Sequence, residues 1–194
     1  MNELFRNLVC GALAAMFATP MAFAQTVATL APPNAIATYP MGVHGNAIVG
    51  SYVDGIVGGT HAFSLSPQGT YTEFAAPEAD PNAGTVAVAI DDAGIVSGYF
   101  YDVRGIKHAF VRFVNGQVVT IDVPGAPFPD FRDTAFVAVN GEGTGIGYYI
   151  DYQYIYGGFA RTPGGAIILI DVPGSTQSFP KAINSKRGNS RPVR

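Results

Sequence analysis

The sequence predicts an all-β protein: a propeller-like array of about three four-stranded antiparallel blades of ~48 residues, incomplete as a ring. Three observations predict it. The first is a set of columns that recur in register. Gly50, Gly98 and Gly147 stand 48 and 49 residues apart, and Phe63, Phe110 and Phe159 stand 47 and 49 apart, as do Pro77, Pro124 and Pro173. Asp54, Asp102 and Asp151 form another column, and Gly69, Gly116 and Gly165 each follow their Phe by six residues. The second is that short apolar runs alternate with Gly, Pro, Asn and Asp, and no ten-residue stretch of the best-formed unit has helical periodicity. The third is composition: 24 Gly, 13 Phe and 10 Tyr, with only 13% charged residues, suit tight turns and sheets that stack on one another.

Residues 85–125 display one unit most fully. A β-branched and Ala run, 85–90, ends at the turn Asp91-Asp92-Ala93-Gly94, and a second strand follows over 95–101. Val103-Arg104-Gly105-Ile106 turns the chain into a third strand, 108–113. Asn115-Gly116 is a hairpin dipeptide because both residues tolerate positive φ. A fourth strand, 117–123, stops at Pro124-Gly125, since Pro cannot donate to a ladder. Such a sheet cannot bury both faces alone, so it must stack on its neighbours.

In chain order, residues 1–24 read as a secretory signal peptide. A short n-region with Arg6 precedes the apolar core 8–17, and Ala22-Phe23-Ala24 is an A-x-A cleavage pattern. The only cysteine, Cys10, would leave with it. Residues 25–184 form the β-repeat domain, with units at about 35–77, 85–125 and 134–174 and the start of a fourth at 181. In the first unit the expected opening strand is 35–39, followed by a turn at Gly42-Val43-His44-Gly45. The fourth start, Lys181-Ala182-Ile183-Asn184, matches Val88-Ala89-Ile90-Asp91, and then the pattern stops. Residues 185–194 are a basic, non-repeat tail. Residues 25–180 hold thirteen acids against five Lys and Arg, whereas 181–194 hold five Lys and Arg and no acid. The break reads as a chain truncated or shifted out of frame. An acidic, exported domain argues against nucleic acid as a partner, and no later apolar run approaches a membrane span.

His61-Ala62-Phe63 and His108-Ala109-Phe110, with the Gly50, Gly98 and Gly147 column before them and Asp122-Val123-Pro124-Gly125 and Asp171-Val172-Pro173-Gly174 after, resemble the HAF-family extracellular repeats of bacteria. The resemblance covers about residues 35–184. It implies export and a propeller-like array, and it implies no settled activity, so no catalytic residue comes with it. The third unit departs from it, with Gly157 where the His stands. Family members are longer, which again implies truncation.

No motif of a common reaction, metal site or cofactor site is present. The expectation is no catalytic residue, no metal and no cofactor. Gly141, Gly143, Gly145 and Gly147 join two strands, not a strand and a helix, so they read as turn and strand glycines and not a phosphate cradle. The Asp column, each member ending a strand before a turn, fits carboxylates that accept turn N–H groups. Its functional alternative is a ring of carboxylates at one rim. His61 and His108 are expected to be structural, paired across their hairpins with Asp54 and Asp102. Phe63, Phe110, Phe159, Gly50, Gly98, Gly147, Asp122 and Asp171 are likewise expected to be structural. The candidate binding residues are Asp151, Tyr152, Tyr154 and Tyr156, with Asp54 and Asp102, because exposed tyrosines can stack on a sugar or a protein.

The functional expectation is an exported protein, periplasmic or at the cell surface, with a binding or structural role toward a glycan or cell-surface protein. A homo-oligomer could close the ring. The alternatives are a propeller-scaffold enzyme acting on polysaccharide, and a fragment of a longer repeat protein with no function of its own.

Overall fold

The computed structural model describes residues 30–123, 133–151, 153–170 and 172–184. The expected signal peptide and the basic tail lie outside the described residues, as do Tyr152 and Asp171. Twelve strands follow in order. The first unit holds β1 (Ala35–His44), β2 (Ala47–Asp54), β3 (Thr60–Leu65) and β4 (Tyr71–Phe74). The second holds β5 (Thr85–Ile90), β6 (Val96–Tyr101), β7 (Lys107–Arg112) and β8 (Val118–Ile121). The third holds β9 (Asp133–Val139), β10 (Gly145–Ile150), β11 (Tyr156–Arg161) and β12 (Ile167–Ile170). The described residues contain no helix. Each unit is an antiparallel meander of four neighbouring strands, and one parallel pair, Lys107 with Asp133, joins the second sheet to the third.

The sequence columns have a steric cause. Gly50 pairs directly with Phe63, Gly98 with Phe110 and Gly147 with Phe159. A Cβ on these glycines would overlap the carbonyl oxygens of Tyr39, Val86 and Ala135 on the first strand of each unit, and on Gly98 and Gly147 also the opposite Phe ring. The first strand comes this close because it carries one extra residue beside the glycine: Met41, Val88 or Val137. Such a bulge bends the strand and increases its twist. Glycine, bulge and phenylalanine are therefore one device used three times.

The units pack face against face. Val49 and Ala62 of the first unit meet Ala87 and Val96 of the second, and Phe100 and Phe110 pack with Ala76 and Phe74 further out. Phe136 and Phe159 of the third unit pack on Ala109 and Val123 of the second. The first strands stand side by side, β5 against β1 and β9 against β5.

Three local expectations need correction. The turn expected at Gly42-Val43-His44-Gly45 is mostly strand, because the bulge lets β1 stay paired through Pro40 to His44 and the chain turns at Gly45-Asn46. Asn115 does not take positive φ. Gly116 alone does, at 89°, and the Asn115 side chain instead accepts the Gln117 N–H at 3.0 Å. This is a type I turn closed by a left-handed glycine, the usual three-residue loop. Residues 181–184 form no strand, although Ser178 is buried against the third unit.

Candidate functional site

The Asp column caps turns. Asp102 Oδ1 accepts the N–H groups of Arg104 and Ile106 at 2.9 and 2.8 Å. Asp151 Oδ1 accepts those of Gln153 and Ile155 at 2.8 and 2.9 Å. Asp54 Oδ1 accepts those of Ile56 and Val57 at 2.6 and 2.8 Å. Burial works to raise the Asp102 carboxyl, but the Ile106 N–H and the Arg104 side chain and N–H outweigh it and hold it at about 2. Asp54 is likewise lowered, by the N–H groups of Val57 and Ile56. A general acid on a sugar needs the opposite shift. Because the folded pKa of Asp102 lies below its unfolded value, its stabilisation is present above pH ~4 and is lost as pH falls toward ~2. Asp102→Ala should cost about 1–2 kcal/mol at neutral pH through the lost turn bonds. Between pH 4 and 2 its melting temperature should fall less steeply than that of the parent; parallel slopes would show that Asp102 stabilises nothing by its charge.

His61 and His108 each pair with a carboxylate, and for His61 the partner differs from that expected. His108 Nδ1 lies 2.9 Å from Asp122 Oδ1, and its Nε2 lies 3.6 Å from Asp102. His61 pairs with Glu73 at 2.8 Å and not with Asp54, whose Oδ1 is already occupied by its turn. Tyr52 donates to the other Glu73 oxygen at 2.6 Å. In both units the His ring stacks on the aromatic opposite it, Tyr52 at 5.4 Å and Phe100 at 5.2 Å.

The third unit breaks this pattern and opens a groove. Gly157 replaces the His, and the ring of Tyr149, directly opposite, lies over it so closely that a Cβ there would overlap the ring. An aromatic ring covering a cross-strand glycine is a known stabilising pair. A hollow of about 210 Å³ lies beside this pair, bordered by Tyr149, Tyr156 and Gly157, by the aliphatic Ile155, Leu169 and Ile170, and by residues 175–178. Ser178 N–H donates to the Tyr156 carbonyl at 2.9 Å, which holds that segment in place. Phe179 stacks on Tyr156 at 4.5 Å and is itself faced by Lys181 Nζ at 5.8 Å. Among the described residues no charged side chain lines the hollow. No protein-family model, curated protein or solved structure matches this chain. The chemistry of the groove therefore rests on its lining.

In the turn that leads into β11, Tyr154 is 61% exposed and holds φ at 61°. The equivalent turn position is Gly in the other hairpins, as at Gly94, Gly105, Gly116 and Gly143 with φ 78–89°. A side chain in that region costs roughly 1–2 kcal/mol. Of the sequence candidates, Tyr156 lines the hollow, Tyr154 sits in the preceding turn that Asp151 caps, and Asp54 and Asp102 serve other turns. Sequence reasoning missed Tyr149 and residues 175–178. Gly157 opposite an aromatic was the available signal for the first, and the second had none. Among the described residues no cluster of three His, Cys, Asp or Glu side chains is placed to hold a metal, and no helix is long and apolar enough to cross a membrane.

Proposed function

We propose that the protein is an exported binding module, with propeller-like packing of HAF-type repeats, that holds a neutral glycan in the groove of its third unit. The reading of export rests on the A-x-A pattern at 22–24. The blade reading is supported by three stacked four-stranded meanders whose first strands adjoin. The observation that carries the ligand class is the lining: two tyrosines, the aliphatic Ile155, Leu169 and Ile170, a hydroxyl- and amide-bearing segment, and no charge among the described residues. Sugars present an apolar ring face and hydroxyls together, which matches aromatic side chains beside polar ones. The hollow is smaller than the ~300–1,000 Å³ usual for drug-sized ligands, so it takes one unit of a longer chain.

Tyr154 supplies the test. A strained, exposed aromatic points to function at that place. Tyr154→Gly should raise stability by about 1 kcal/mol while weakening glycan binding. Affinity electrophoresis in gels containing glucan, mannan, xylan or acidic alginate would measure it. Retardation by a neutral polysaccharide, reduced in Tyr154→Gly and lost in Tyr156→Ala, is expected. Equal retardation of all three proteins, or none by any neutral glycan, refutes the proposal. The hydrolase alternative is disfavoured because it needs paired carboxyls with one kept protonated, whereas each Asp of the column is committed to its own turn.

A further inference from the structure

The groove of the third unit has an aliphatic side and a polar side, and strand register sets the aliphatic side apart from the other units. In the first unit His61 stands opposite Tyr52 and Glu73 opposite Phe63, and the two side chains pair at 2.8 Å. In the third unit the same two positions, opposite Tyr149 and Phe159, hold Gly157 and Leu169. The second unit has Thr120 at the position of Leu169, and its hydroxyl donates to Glu78 at 2.6 Å. An ion pair in one unit and a hydrogen-bonded threonine in the next are thus replaced by an aliphatic side chain that faces solvent. Leu169 is 53% exposed and Ile155 37% exposed, and both border the hollow together with Ile170.

The polar side is short chain carrying hydroxyls and an amide. Ser175, Thr176 and Gln177 are exposed, so their donors and acceptors are open to a ligand. A plain hexose suits only part of this lining. Its ring face fits Tyr156 and its hydroxyls fit the polar residues, but it brings no alkyl group to Ile155, Leu169 and Ile170. Water held against such side chains is displaced favourably by an apolar group. An ionised sugar would lose hydration without finding an opposite charge among the described lining residues.

We propose, resting on the glycan reading above, that the groove selects a 2-acetamido sugar. The acetamido group carries a methyl beside an amide N–H and C=O. The methyl lies against Leu169, Ile155 and Ile170, and the amide bonds to the polar side through Gln177 and its neighbours. Leu169 is then the residue that sets specificity, because it stands where the other units are polar.

The test uses the methyl β-glycosides of N-acetylglucosamine and N-acetylgalactosamine, each beside its 2-hydroxy match, the glucoside or galactoside. Each is titrated into the purified chain and followed by the amide resonances of Leu169 and Gln177. One acetamido glycoside should saturate about tenfold or more tighter than its match, from one buried methyl and the amide hydrogen bonds. Leu169→Glu should abolish that preference, and Gln177→Ala should reduce it. The position is exposed and is Glu in the first unit, so the melting temperature of Leu169→Glu should change little; should that variant unfold, Leu169→Thr, the residue of the second unit, replaces it. Equal binding of acetamido and hydroxyl glycosides, or a preference that survives substitution of Leu169, would overturn the inference and leave the broader glycan reading standing. No saturable shift with any glycoside would overturn it as well. Retardation by a neutral polysaccharide, lost in Tyr156→Ala, would then show that only the acetamido specificity had failed, whereas no retardation would mean that the glycan reading fails with it.

Discussion

Phe110→Ala should lower the stability of the protein by about 3–5 kcal/mol, the largest loss expected from any single substitution discussed. The side chain has no exposed surface and packs with Phe100 and Ala76, and it meets Phe74 edge-on at 6.2 Å. It also covers Gly98, which cannot acquire a side chain to fill the void. Neighbours therefore cannot collapse inward, and the cavity term adds to the transfer term. Domains of this kind have about 5–15 kcal/mol in total, so the variant should unfold at markedly lower urea with an unchanged slope. Phe110→Leu should recover half or more of the loss. A loss under about 1 kcal/mol for the alanine variant would mean that the seam between the first two units contributes little, and that the units are held by their neighbouring first strands instead.

That device was legible in the sequence because its cause is local to one cross-strand pair and so had to recur in every unit. The Gly and Phe columns, the turn-capping Asp column and the four strands per unit all follow from short-range geometry. Partners that depend on how far a hairpin extends were not legible. The fourth strand of the first unit brings Glu73 to His61, whereas in the second unit Asp122 reaches His108. The groove of the third unit was half visible. Gly157 stood out as a departure from the His column, but that the Tyr149 ring covers it, and that residues 175–178 wall the hollow, depends on packing that no column records. The replacement of Glu73 by Leu169 could be read from the alignment of units. It acquired meaning only once the register set both opposite the column Phe and Leu169 was found to border the hollow.

Lys107→Met should cost about 2 kcal/mol and act on the junction of the second and third units. Lys107 Nζ lies 5.0 Å from the centre of the Tyr99 ring, 5.3 Å from Tyr101 and 5.7 Å from Tyr148. It donates to the Tyr148 hydroxyl at 3.2 Å and sits 3.7 Å from Asp133 Oδ2. Its own N–H donates to Asp133 Oδ1 at 3.1 Å, at the parallel pair that joins the second unit to the third. Burial opposes the charge, but the hydrogen bond to the Tyr148 hydroxyl and the nearby Asp133 carboxylate outweigh it and raise the ammonium above its ordinary pKa. A raised lysine stabilises fully below its unfolded pKa of about 10.4 and loses that contribution only as pH rises through the folded value, so the effect should be flat from pH 6 to 9. Methionine keeps the stem and its packing on the rings and removes the cation–π attraction, about 0.5–2 kcal/mol, and the partner of a half-buried carboxylate. The countervailing term is desolvation, since an apolar replacement of a buried ion pair is sometimes neutral or stabilising. Two measurements separate these. In a cycle with Tyr148→Phe, a coupling of about 0.5 kcal/mol or more would show the cation bound to the ring hydroxyl. Amide exchange in Lys107→Met should quicken in β9–β12 more than in β1–β4 if the cation clamps the third unit. A neutral or stabilising Lys107→Met with unchanged exchange would mean that Phe136 and Phe159 alone hold the seam, and that the tyrosine-lined position of the lysine adds nothing to it.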